Sequence, residues 1–92
     1  YRHRGIVVQA ICPQGVQTRM LDEAGALQGL LTHDTALTAE QVAEIAVAAL
    51  AGDEFLILPH ERVAGYYATR AGDTDRWLTG MNRIQQGLER AD

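Results

Sequence analysis

From Gly5 the chain runs Ile6-Val7-Val8-Gln9-Ala10-Ile11-Cys12, β-branched and broken by a single polar residue. A near-continuous apolar run of this kind predicts a strand buried on both faces. Pro13 ends it, because proline has no N–H to give a ladder. Positions 19–37 follow no single period. Met20, Leu21, Leu27, Leu30 and Leu31 can line a short amphipathic helix, but Gly25 and Gly29 each weaken it by about 1 kcal/mol relative to alanine. A mobile helical or loop segment is expected there.

Regular patterning resumes at Thr38. Thr38-Ala39-Glu40-Gln41 has the spacing of a capping box, and Val42, Ile45, Ala46, Ala49 and Leu50 follow one helical face. Gly52 stands where a helix stop belongs. Residues 45–51 are apolar all round, which predicts a second packed face. Phe55-Leu56-Ile57-Leu58 reads as a second buried strand, closed by Pro59. Val63, Tyr66 and Tyr67 suggest a short helix. Asp73 is placed to cap a final helix over 74–89, with Trp77, Met81, Ile84 and Leu88 as its stripe. Gly80 and Gly87 flank that stripe.

The order strand, helix, strand predicts a parallel pair joined by a right-handed crossover. The connection from Pro13 to Glu54 is 42 residues long, whereas a crossover needs only about a dozen. The excess falls just after the first strand. In open α/β sheets ligands bind beyond the carboxyl ends of strands. Residues 13–18 therefore lie where a ligand would be, and 19–37 is placed like a lid.

Composition narrows the function classes. With 47% hydrophobic and 22% charged residues over 92 positions, the chain is globular in type. Its size sets a small core, marginal without partners. A formal net charge of −4 without a basic patch argues against nucleic acid. No apolar run approaches the roughly 20 residues that span a bilayer, and no signal peptide opens the chain. One cysteine, Cys12, excludes an internal disulfide and fits a reducing, cytoplasmic setting. There is no lysine and no serine, so chemistry that needs either cannot be done by this chain alone.

The segment Cys12-Pro13-Gln14-Gly15-Val16-Gln17-Thr18-Arg19-Met20 after a β-branched strand resembles a strand-end segment of the short-chain dehydrogenases/reductases. There a Pro-Gly-x-Val-x-Thr pattern follows the sixth strand. Pro13, Val16 and Thr18 match; Gln14 stands where the family has glycine, and Gly15 comes one place later. Thr38 to Ala51 resembles the family's next helix, with its T-x-E-x-V-A start, and Phe55 to Leu58 its last strand. The likeness covers about residues 4–58, with 59–92 as a tail found in some members. It implies an α/β fold: the C-terminal part of a Rossmann-like doubly wound parallel sheet, ordered strand, lid segment, helix, strand, tail helices. The division expected is 1–58 as the sheet segment and 59–92 as a helical tail.

The same resemblance implies NAD or NADP as cofactor, with Pro13, Gly15, Val16 and Thr18 on its nicotinamide side. Val16 backbone would meet the carboxamide, and Thr18 the carboxamide or a phosphate. Met20, Leu21 and Leu27 would face a small alcohol or carbonyl substrate. Homo-oligomers are usual in the family, and helix 45–51 with strand 55–58 matches one of its interfaces. The Thr-Gly-x-x-x-Gly-x-Gly fingerprint and the Tyr-x-x-x-Lys pair have no counterpart here. No catalytic residue is therefore assigned, and the chain is expected to be inactive alone. With Tyr1 rather than methionine in first place, it reads as the last third of such an enzyme.

Plainer readings accompany each candidate. Without the resemblance, Thr18 is a turn threonine satisfying a nearby amide. Met20, Leu27, Leu30 and Leu31 are either a substrate wall or ordinary core. Cys12 reads as a small buried hydrophobe. His3, His33 and His60 lack metal-ligand spacing and read as scattered surface residues, with His60, just after Pro59, the one at a strand end. Asp22-Glu23 and Asp73-Asp75 read as helix-start acids rather than a catalytic pair. Tyr66, Tyr67 and Trp77 read as docking residues of a tail helix. The alternative to the enzyme reading is a non-enzymatic α/β or helical protein-interaction domain.

Overall fold

A computed structural model describes residues 1–31 and 35–91. After a 3-10 turn at Arg2–Arg4, the first elements are β1 (Ala10–Ile11), β2 (Val16–Gln17) and α1 (Arg19–Asp22). A 3-10 turn, Gly25–Leu27, leads into α2 (Gln28–Leu31), followed by β3 (Leu37–Thr38) and α3 (Ala39–Ala49). Then come β4 (Leu56–Ile57), α4 (Val63–Gly72) and α5 (Thr74–Ala91). The chain is an α/β protein with short parallel strands and several helices.

β1 and β4 pair in parallel, with Ala10 opposite Leu56 and Ile11 opposite Ile57. The ladder extends slightly at both ends: Ala10 N–H donates to Phe55 C=O at 2.7 Å and Cys12 N–H to Ile57 C=O at 3.0 Å. These are the two strands expected from the apolar runs. A second parallel pair joins Val16 to Leu37 and Gln17 to Thr38. It was not expected, and it closes the 18–36 excursion at its base.

The capping box forms as the spacing requires. Gln41 N–H donates to Thr38 Oγ1 at 3.1 Å, and Thr38 N–H donates to Gln41 Oε1 at 2.9 Å. At the other end of α3, Gly52 N–H donates to Ala49 C=O at 3.2 Å. Gln9, the polar break in the first run, donates through Nε2 to Ala49 C=O at 2.7 Å. It thereby ties the strand to a carbonyl that the helix end leaves without an intrahelical partner. Asp73 caps α5 as expected, its Oδ1 accepting from Arg76 N–H at 3.1 Å. Trp77, Ile84 and Leu88 are half-buried, and α5 packs along α4.

Burial departs from the expected pattern. Ile6, Val7, Val8 and Ile11 are exposed, as are Val47, Leu50, Phe55 and Leu56. A parallel pair hides both faces only when helices cover both, and the described residues supply too few to do so. Cys12 is exposed rather than buried. Leu21 and Ile57 are the buried apolar side chains among the described residues.

The dimensions carry the same message. A folded monomer of 10.0 kDa exposes roughly 5,200 Å² by the usual size scaling, and this chain exposes 7343 Å². Its radius of gyration is 16.0 Å, against about 12 Å for a compact domain of this length.

Candidate functional site

The most deeply buried side chain with polar atoms is His60, 4% exposed. Its ring is held from both sides by the turn after β1. Gln14 N–H donates to Nδ1 at 3.0 Å, and Nε2 lies 3.0 Å from Gly15 C=O. A carbonyl only accepts, so Nε2 carries the proton and the ring is the neutral Nε2–H tautomer. His60 is therefore no surface histidine. It latches the chain after β4 to the chain after β1, and burial is tolerated because both nitrogens are satisfied. His3 is exposed, as expected, and His33 lies outside the described residues.

Gly15 is buried beside that ring. A Cβ at this position would fall on the carbonyl oxygen of Leu31, so only glycine lets the end of α2 approach the turn. Gly15 C=O accepts a second bond, from Leu37 N–H at 3.1 Å. Both of its lone pairs are thus engaged, one by the latch and one by β3.

This fixes where the next residue points. Backbone groups of successive residues in a parallel strand alternate in direction. Because Gly15 C=O faces β3, the N–H and C=O of Val16 face away from it. Thr18 follows in extended backbone as the N-cap of α1, its Oγ1 accepting from Leu21 N–H at 3.4 Å. A hydroxyl that accepts in this way keeps its own proton to donate elsewhere. The capping role and a ligand role are compatible at Thr18.

Gly15, Val16 and Thr18 line one cleft of about 750 Å³ together with Met20 and Leu21. Met20 is 83% exposed and Leu21 8%, so Leu21 is a wall residue and Met20 a rim residue. Pro13 and Leu27 do not line this cleft; Pro13 stops β1, and Leu27 lies exposed in the second 3-10 turn. Asp22 lies in the single turn of α1, as the helix-start reading has it, and Glu23 caps the other end, where it pairs with Arg19 at 2.7 Å. No group of histidine, cysteine and acidic side chains among the described residues can hold a metal ion. No described helix is long and apolar enough to cross a membrane.

A second cavity, of about 520 Å³, opens on the other side of Gln14 and Gly15, between α2, α4 and α5. The aromatic residues of the tail line it, and Arg70 lies over the Trp77 indole with its guanidinium carbon 4.9 Å from the ring centre. Sequence reasoning missed the role of His60 and this cavity. The position of His60 directly after the strand-ending Pro59 was the available signal for the first. The helical spacing of Tyr66 and Arg70, with Trp77 in the first turn of the next helix, was the signal for the second.

Neither the protein-family models, nor the curated proteins, nor the solved structures contain a match to this chain.

Proposed function

We propose that the chain forms the C-terminal part of a Rossmann-like, NAD(P)-dependent short-chain oxidoreductase that interconverts alcohol and carbonyl. The observation that carries this reading is the shared cleft. Residues that the family resemblance assigns to the cofactor (Gly15, Val16, Thr18) and to the substrate (Met20, Leu21) line one space. That space lies beyond the carboxyl end of β1, where parallel sheets bind ligands. The nicotinamide supplies hydride chemistry when bound. Val16, with its backbone groups turned away from β3, is suited to meet a carboxamide, and Thr18 has a hydroxyl proton to donate. His60 sets the height of this wall through Gln14 and Gly15. Proton transfer belongs to a tyrosine–lysine pair outside these residues, since no lysine is present.

Two substitutions in the parent enzyme test the reading. Thr18→Ala removes both the cap and the donor; cofactor use falls by about 1–3 kcal/mol, and stability by about 1 kcal/mol. Thr18→Asp keeps a good cap but replaces the donor with a negative charge, so stability holds while cofactor use falls at least as far. Unchanged kinetics in Thr18→Asp would remove Thr18 from the site. The 92-residue chain by itself is expected to bind NAD(H) or NADP(H) weakly or not at all, and tight binding by calorimetry counts against the reading. The coding sequence ahead of Tyr1 should contain Tyr-x-x-x-Lys within a couple of helical turns.

One observation favours the interaction-domain alternative. The exposed area exceeds that of a compact monomer by roughly 2,100 Å², more than the roughly 800 Å² that each partner gives a standard protein–protein interface, and Ile6, Val7, Val8, Val47 and Leu50 are among the exposed apolar residues. An initiator methionine directly before Tyr1 would select this alternative.

A further inference from the structure

We propose that the cavity between α2, α4 and α5 binds an amphiphile with an extended apolar body and a carboxylate head, and that Arg70 receives the head. The walls come from Leu30 and Leu31 on one side and from Val63, Met81 and Ile84 on the other. At about 520 Å³ the space falls within the size range of small-molecule sites. Such aliphatic walls favour hydrocarbon, with the aromatic faces of Tyr66, Tyr67 and Trp77 beside them.

Arg70 is the one charged residue among the described lining. Its guanidinium lies over Trp77 and has no carboxylate partner among the described residues. A guanidinium held over an aromatic face spends none of its five N–H donors on that contact, and such a fork can take a carboxylate through two parallel hydrogen bonds. The whole chain carries a net charge of −4, so an anion is not drawn to its surface in general; a cation on an apolar wall is a local exception. Gln14 and Gly15 line both this cavity and the cleft of Val16 and Thr18. A ligand here therefore lies against the same wall as the nicotinamide of the proposed enzyme. The substrate of the proposed enzyme belongs to the cleft with Met20 and Leu21, so this is a separate binding site and does not depend on that reading.

Trp77 is the only tryptophan in the sequence and reports directly on the cavity. Decanoate titrated into the 92-residue chain should change Trp77 emission saturably, about tenfold tighter than 1-decanol, the difference expected of one charge-assisted pair. Arg70→Gln should bring decanoate down to the level of decanol and leave decanol within about twofold, since only the charged pair is lost. Arg70 is exposed, and far-UV circular dichroism should show the variant unchanged. In the unsubstituted chain, the Arg70 Nε–H resonance should shift with decanoate and not with decanol. Absence of saturable binding, equal affinity for acid and alcohol, or an unmoved Arg70 resonance overturns the proposal. Decanoate binding in a chain whose parent uses no nicotinamide cofactor removes the oxidoreductase reading and keeps the site. Failure of decanoate in a parent that does use the cofactor removes the site alone.

Discussion

At Gly15 and Gly29 the same substitution has opposite consequences. A Cβ at Gly15 meets the backbone of Leu31, which cannot swing aside like a side chain. Gly15→Ala should cost about 2–3 kcal/mol in urea unfolding. At Gly29, in α2, a Cβ meets nothing within 4 Å, and Gly29→Ala should stabilise by about 0.5–1 kcal/mol through the unfolded chain. Equal shifts of the two midpoints would mean that α2 does not lie against the turn. The Gly29 gain follows from the helix cost of glycine read in the sequence, whereas the Gly15 clash was not legible, because Leu31 is distant along the chain. His60 was hidden for the same reason: its partners, Gln14 and Gly15, lie 46 and 45 positions away. Thr38 with Gln41, and Asp73 with Arg76, could be read directly, since a cap and its amide are three residues apart.

Among the elements, long periodic stretches declared themselves and short ones did not. α3 and α5 follow from apolar spacing with local stops and starts, and β1 with β4 from two apolar runs. β2 and β3 are two residues each, too short to show a period. Thr38 had already been claimed by the helix it caps. Gln9 marks the limit of patterning. Read as a run, 6–12 would be improved by Gln9→Leu, which makes it continuous. The structure requires the reverse, because the amide Nε2 is a second donor to Ala49 C=O, beside Gly52 N–H, and ties the run to the end of α3. Gln9→Leu should destabilise by about 1 kcal/mol, with the loss seen as faster amide exchange in the last turn of α3; a gain in stability would show that contact to be dispensable.

Taken whole, the molecule measures 51 × 34 × 19 Å and leaves apolar side chains on the surface in many places, among them the run leading into β1 and the C-terminal end of α3. The pattern that predicted burial on both faces of β1 described a need that the described residues do not meet on their own. Val47 is 67% exposed and Leu50 73%, and patches of this kind favour association. Sedimentation velocity at increasing concentration should show species larger than 10.0 kDa. Leu50→Lys should reduce them while leaving helicity intact, and a monomer at all concentrations would show that α3 needs no cover. The sequence-level resemblance and the cleft belong to this scale too. Under the proposed reading, the rest of a parallel sheet would cover the exposed β1 run. The closed base of the 18–36 excursion bears on how a chain of this design changes over generations. Because Leu37 returns onto Gly15, everything between can lengthen or shorten without altering the register of β1 with β4 or the reach of His60. Doubling such a loop adds only about 0.6 kcal/mol of closure cost. The side of the cleft lined by Met20 and Leu21 can therefore be rewritten by insertion and deletion in one stretch, while the turn it faces is inherited unchanged.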